Sequence, residues 1–185
     1  MSSDQKNIFI DRDGVLNTTL PPYVSQWNEF VWYPWTFRAL RVLQQWNARI
    51  FVITNQSGIG RGYFSEETLL DIFKNMERRL DDAGLELTDI YYCPHHPDKG
   101  CDCRKPSPGM FVKAASEHNV VLEDSWFIGD HYTDIEAGNA VGAHTILVKS
   151  LRDGSEVRDH SMPAYVVGNL LEASELIVGE WRKAV

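Results

Sequence analysis

Residues 6–17 read Lys-Asn-Ile-Phe-Ile-Asp-Arg-Asp-Gly-Val-Leu-Asn, and the fold turns on how they are understood. Ile8, Phe9 and Ile10 form an uninterrupted apolar run, the pattern of a strand buried on both faces of a parallel sheet, and the run stops abruptly at charge. The charges therefore fall at the carboxyl end of a central strand. In open α/β sheets that edge is where ligands bind, so Asp11 and Asp13 would point into a crevice, with Gly14 letting the backbone turn sharply. Such a pair of carboxylates can hold a divalent cation, and one of them can attack or protonate what the cation binds. Taken alone, the same residues also fit a solvated acidic turn after a strand.

The whole chain sets bounds on what this crevice can serve. At 185 residues, it fits a single domain, 1–185, large enough to bury a core without disulfide staples. No apolar run approaches a membrane span, and the opening Met-Ser-Ser-Asp-Gln-Lys lacks the apolar segment of a signal peptide, so a cytoplasmic location is expected. A formal charge of -8 argues against non-specific nucleic-acid binding, which leans on a basic surface. The expected partner is a small molecule, bound by a monomer. If that molecule is anionic, its recognition must be local.

Outward from the first strand, Asn17 to Tyr33 is rich in Pro, Tyr and Trp without a clear period and is expected as a long loop lining a pocket. Most of its aromatics Tyr23, Trp27, Phe30, Trp32 and Trp35 fit packing beneath the loop better than ligand contact. Pro34 suits the first turn of a helix through about Asn47, with Leu40, Leu43 and Trp46 on one face. Ile50 to Ile53 is a second continuous apolar run and a second buried strand. It ends in Thr54-Asn55-Gln56-Ser57-Gly58-Ile59-Gly60-Arg61-Gly62, whose glycines let backbone amides approach a phosphate closely. Ser65 is placed to cap the next helix, where Leu69, Ile72, Phe73, Met76 and Leu80 share a face and Gly84 marks the end.

A third strand, Asp89 to Tyr92, leads into Cys93-Pro94-His95-His96-Pro97-Asp98-Lys99-Gly100-Cys101-Asp102-Cys103. All three cysteines of the protein lie here, and with His95 they make the set for a tetrahedral zinc. An odd thiol and the cramped Cys101-x-Cys103 spacing disfavour a disulfide. Four protein ligands close the coordination sphere, so the Zn2+ would be structural. His96 is the alternative imidazole, though Cys-x-His mirrors the Cys-x-Cys across the knuckle. Arg104 and Lys105 follow on a loop that the metal would hold still, before a helix starting at Ser107 and Pro108. Ser125 to Ile128 is a fourth strand, ending in Gly129-Asp130-His131-Tyr132-Thr133-Asp134. A fifth strand ends at Val148, and a sixth, Ala164 to Val167, precedes a last helix from about Asn169. Residues 149 to 163 are expected as a surface loop.

Asp-x-Asp-Gly-Val-Leu-Asn, a strand-end Thr54, Lys105 and Gly-Asp-x-x-x-Asp, in this order, resemble the four motifs of the haloacid dehalogenase superfamily of phosphotransferases. The resemblance spans residues 8 to 140. It implies an α/β fold: a Rossmann-like, mainly parallel sheet of about six strands flanked by helices, without a separate cap domain. It further implies Asp11 as nucleophile, Asp13 as acid and base, and Thr54 and Lys105 as phosphate-binding groups. Mg2+ would be held by Asp11, the Asp13 carbonyl and Asp130, with Asp134 either reaching it through water or only capping a helix. The Cys-x-His...Cys-x-Cys knuckle and Cys-Arg-Lys-Pro are similar to the branch of heptose bisphosphate and histidinol-phosphate phosphatases, in which a heptose 1,7-bisphosphate is the better match. The chain departs from that branch in its short knuckle and Trp-rich 27 to 35 segment. A second phosphate and many hydroxyls call for another cation and hydrogen-bonding groups. Asn55, Gln56 and Ser57 are expected at the sugar or phosphate, Arg104 in substrate recognition, and Arg61 either at the distal phosphate or in solvent. A histidinol-phosphate enzyme tends to carry Asp at the position of Ser57. A non-catalytic zinc module would explain the knuckle but not four polar strand ends.

Overall fold

The apolar runs become the middle of one sheet. A computed structural model describes residues 5–149 and 162–183. Strands β1 (Asn7–Ile10), β2 (Arg49–Asn55), β3 (Asp89–Cys93), β4 (Trp126–Gly129), β5 (His144–Val148) and β6 (Tyr165–Val167) lie in the order β3-β2-β1-β4-β5-β6. Every pair is parallel. Helices α1 (Thr36–Gln44), α2 (Ser57–Gly60), α3 (Glu66–Asp81), α4 (Gly109–His118), α5 (Tyr132–Ala140) and α6 (Leu170–Lys183) supply the connections and covers.

Side chains alternate across each strand, so successive residues of β1 face opposite helical layers. Ile8 and Ile10 join Leu40 and Leu43 of α1, Ile72 and Met76 of α3, and Ile177 of α6 in one core. Phe9 points the other way, stacked on Phe51 at 5.0 Å and packed with Phe111 of α4 at 5.1 Å. The sheet is thus a filling between two helical layers. Because the chain places β2 and β3 on one side of β1 and β4 to β6 on the other, the order reverses at β1 and β4. Their carboxyl ends flank the crevice where open sheets bind ligands.

Most expected element ends hold, and the exceptions have local causes. Ser65 caps α3 by accepting from the Thr68 amide at 3.1 Å. Helix α1 begins only at Thr36, after Pro34, and stops before Asn47, whose left-handed φ of 57° ends the turn. Ser107 does not cap α4; its amide instead bonds the Arg104 carbonyl at 2.7 Å and closes the loop that carries Lys105. The 17–33 loop includes a 3-10 turn at Trp27–Glu29 and packs its aromatics in a chain: Trp27 stacks on Phe30, Phe30 meets Trp32 edge to face, and Trp32 meets Phe37 of α1 in the same way. Packing, not ligand contact, accounts for those rings. The loop expected at 149 to 163 falls largely outside the described residues. Among the described residues, no helix is long and apolar enough to cross a membrane.

Candidate active site

Each of the first four strands delivers polar groups to one cleft of about 290 Å³, lined among others by Asp11, Asp13, Thr54, Arg104, Lys105 and Asp130. Asp11 follows β1 directly, its amide bonded to the Ile128 carbonyl of β4 at 2.9 Å, so the two strands bring Asp11 and Asp130 together. Gly14 is required behind them. Its φ is +94°, and a Cβ there would run into the Asp130 carboxylate.

Lys105 organises the centre. Its ammonium is 2% exposed and touches Asp11 Oδ1 at 2.9 Å, Asp134 Oδ1 at 2.7 Å and the Ile53 carbonyl at 2.7 Å. Burial works against this charge, but the Asp11 and Asp134 carboxylates outweigh it and raise the pKa of Lys105. For Asp11 the balance is opposite. Burial, with the nearby Asp134 and Asp13 charges, outweighs Lys105 and pushes its carboxyl from 3.8 up to about 6. Asp11, Asp130 and Asp134 offer carboxylate oxygens within 4.8 Å of one another. Such crowding of buried carboxylates, one already resisting ionisation, fits a divalent cation held by oxygen ligands. Asp134 has both of its oxygens engaged within the protein. Its Oδ2 accepts from the Asp130 and His131 amides at 3.1 and 3.0 Å, capping α5, while Oδ1 is taken by Lys105.

Asp13 is held differently. Burial raises its pKa, but Arg12, Asn17 and Gln56 together bring it below the usual carboxylate range. Gln56, expected at the substrate, is instead buried, donating to Asp13 Oδ2 at 3.0 Å and Thr54 Oγ1 at 2.9 Å, and does not line the cleft. Asn55 reaches the cleft, yet its amide is spent on the backbone of Lys105, accepting from N at 3.0 Å and donating to O at 3.1 Å. Ser57 does line the cleft, 3.2 Å from the Tyr23 hydroxyl. Arg61 is exposed and away from the lining, which favours the solvated alternative. Arg104 lines the cleft with Nη1 buried and without a partner among the described residues.

Arg12 goes unnoticed in the sequence, since a charge between two aspartates in a turn gives no sign of burial. Thr19, Leu20, Tyr23 and the His131 to Thr133 run also line the cleft. Of these, Tyr23 lies centrally in the segment whose composition points to a pocket wall.

Beside the cleft, the knuckle brings four ligand atoms together: Cys93 Sγ to Cys101 Sγ 3.5 Å, Cys103 Sγ to Cys101 Sγ 3.5 Å, His95 Nδ1 to Cys103 Sγ 3.2 Å and to Cys93 Sγ 3.6 Å. The thiols are free. Burial pushes Cys93 and Cys103 up, whereas Cys101, despite some burial, falls to about 7 through hydrogen bonds from its neighbours. His95 faces the ligand set, and His96 turns outward to accept from the Asp98 amide at 3.3 Å. Gly60 joins the knuckle to the loop after β2, its amide bonded to the Pro94 carbonyl at 2.8 Å.

Fold and cleft together define a phosphoryl-transfer hydrolase of the haloacid dehalogenase type, and a family model for HAD-hydrolase-like proteins matches residues 102–173. The chain is 42% identical over 145 residues to the D-glycero-beta-D-manno-heptose-1,7-bisphosphate 7-phosphatase of Pseudomonas putida, covering 78% of this chain and 83% of that one. It is 39% identical to the enzyme of the same name from Pasteurella multocida, covering 95% and 98%. The crystal structure of the D,D-heptose 1,7-bisphosphate phosphatase from B. bronchiseptica, complexed with magnesium and phosphate, superposes with a TM-score of 0.85 at 34% identity over 95% of this chain and 99% of that one. The chain belongs to this heptose bisphosphate phosphatase family of HAD-like phosphatases.

Proposed function

We propose that the protein removes the 7-phosphate of D-glycero-β-D-manno-heptose 1,7-bisphosphate in a Mg2+-dependent reaction. The observation that carries this reading is the meeting of Asp11, Asp13, Thr54, Lys105 and Asp130 at one cleft that Arg104 also lines. The relatives named for this substrate supply the sugar and its anomer.

Asp11 attacks phosphorus in line; the Asp11 Oδ to phosphorus bond forms as the bond to the C7 oxygen breaks, and that oxygen takes a proton from Asp13. Asp13, now a carboxylate, then deprotonates a water that attacks the aspartyl-phosphate, releasing inorganic phosphate and restoring both side chains. Asp13 is ionised in the free cleft, and an arriving phosphoryl dianion beside it favours the protonated form that the first step needs. Thr54 and Lys105 donate to the phosphoryl oxygens. Mg2+, held by Asp11, the Asp13 carbonyl and Asp130, would neutralise charge on those oxygens when bound. Cys93, His95, Cys101 and Cys103 would hold a structural Zn2+ that fixes the Arg104–Lys105 loop.

Ser57 and Arg104 are the remaining substrate contacts; Arg104 faces the second phosphate. A cationic amine, as in histidinol phosphate, would meet Arg104 and find no acid at position 57. The acidic net charge of -8 supports a small-molecule substrate over nucleic acid, and we read residues 1–185 as one cytoplasmic, monomeric phosphatase domain. Side-by-side kcat/KM values for the β and α anomers of the bisphosphate and for histidinol phosphate test the assignment. The β anomer should lead; a preference for histidinol phosphate would overturn it.

A further inference from the structure

Arg12, between Asp11 and Asp13, is a fully buried side chain to which the proposed chemistry gives no task. At 1% exposure it lies under the cleft floor, its guanidinium 5.8 Å over the Phe73 ring, and its Nη1 is buried without a partner among the described residues. A buried cation left partly unsatisfied costs stability, so packing alone does not account for it. What it does touch is Asp13. Nε and Nη2 donate to Asp13 Oδ2 at 3.1 and 2.7 Å, and Gln56 adds a third donor to the same oxygen at 3.0 Å. Among the described residues, Asp13 Oδ1 accepts one bond, from Asn17 at 2.9 Å. A carboxylate oxygen has two lone pairs, so Oδ2 is fully subscribed and Oδ1 retains a free site.

We infer that Arg12 is a positioning residue for the acid–base step: with Gln56 it pins Asp13 Oδ2 and turns Oδ1 to the cleft as the oxygen that exchanges the proton with the sugar. This rests on the assignment of Asp13 as acid and base. Gln56 also donates to Thr54 Oγ1, so the same clamp registers the proton-carrying oxygen against the phosphate-binding hydroxyl.

Leaving-group dependence separates this role from a structural one. A sugar alkoxide needs a proton as it departs, whereas p-nitrophenolate does not. The burst of p-nitrophenol from p-nitrophenyl phosphate and the single-turnover release of phosphate from the heptose bisphosphate are to be measured with Mg2+-loaded full-length protein. Arg12→Met should slow the sugar reaction by about 10- to 100-fold and the aryl burst less than about threefold. Arg12→Lys, which restores one charge without the fork, should fall between. Should Arg12→Met fail to fold, Gln56→Met removes a neutral donor at similar length, and the same split, smaller in size, is expected. Equal losses on both substrates, or none, would overturn the inference. Asp13→Asn is run in parallel: if it shows no split, the acid–base assignment falls and the clamp with it; if it splits the substrates and the clamp variants do not, only the clamp falls.

Discussion

At Asp11 the proposed role as nucleophile and the stability of the fold oppose each other. Its folded pKa of about 6 exceeds the ordinary 3.8, so the stability linked to its protonated form is present below that ordinary value and is lost as pH rises through about 6. Above that, an ionised Asp11 costs the Mg2+-free protein about 3 kcal/mol, since every tenfold change in proton affinity between folded and unfolded chain is worth about 1.36 kcal/mol. Asp11→Asn should therefore abolish turnover and yet, in magnesium-free buffer at pH 7.5, unfold at higher urea than the parent, by about 1–3 kcal/mol. The gap should shrink by pH 5.5. Equal midpoints at both pH values would mean that the buried carboxylate is not strained. Residue identity was readable here because Asp11, Asp13 and Asp130 each follow a strand. The burial of Arg12 was not, because the Phe73 ring beneath its guanidinium comes near only in the tertiary structure. The orientation of Asn55 and Gln56 was hidden for the same reason: an amide after a strand can face the cleft or the loop behind it, and Lys105 and Asp13 claimed these two.

Among the elements, the knuckle from Cys93 to Cys103 has the clearest mechanical task. It has little helix or strand of its own beyond the end of β3 and the 3-10 turn at Pro97–Lys99, so hydrogen bonding alone gives it little rigidity. Yet it sets both Lys105, through the short link by Arg104, and the loop after β2, through the Gly60 to Pro94 bond of 2.8 Å. With no metal, only Cys101 ionises near neutrality; a cation would draw all three thiols to thiolates and couple its binding to folding. Stripping zinc with a chelator that leaves Mg2+ in excess should cost about 2 kcal/mol or more, a fall of roughly 4–8 °C in Tm for a chain of this size. Activity should fall with it. Cys101→Ser should start low and respond little to the chelator. A parent protein whose Tm ignores the chelator, with no zinc by elemental analysis, would refute the structural role.

For the whole molecule, the apolar runs of β1, β2 and β4 made the parallel sheet legible, since burial on both faces admits no polar alternation. Strand order was not legible in the sequence; the structure sets it as β3-β2-β1-β4-β5-β6. The cleft therefore belongs to no single element: β1, β2 and β4, with the loop beyond β3, converge on it, and buried carboxylates crowd where they meet. A cation that binds only this assembled state should stabilise the entire fold by mass action, by about 2.7 kcal/mol at a hundredfold excess over its Kd. Mg2+ should thus raise the Tm of the zinc-replete protein in a concentration-dependent way, and inorganic phosphate should add to the shift only when Mg2+ is present. In Asp130→Asn the Mg2+ response should be mostly lost while the starting Tm stays at or above that of the parent, because one of three crowded carboxylates is gone. Differential scanning fluorimetry across a Mg2+ titration checks this. A full Mg2+ shift in Asp130→Asn would remove that residue from the metal site.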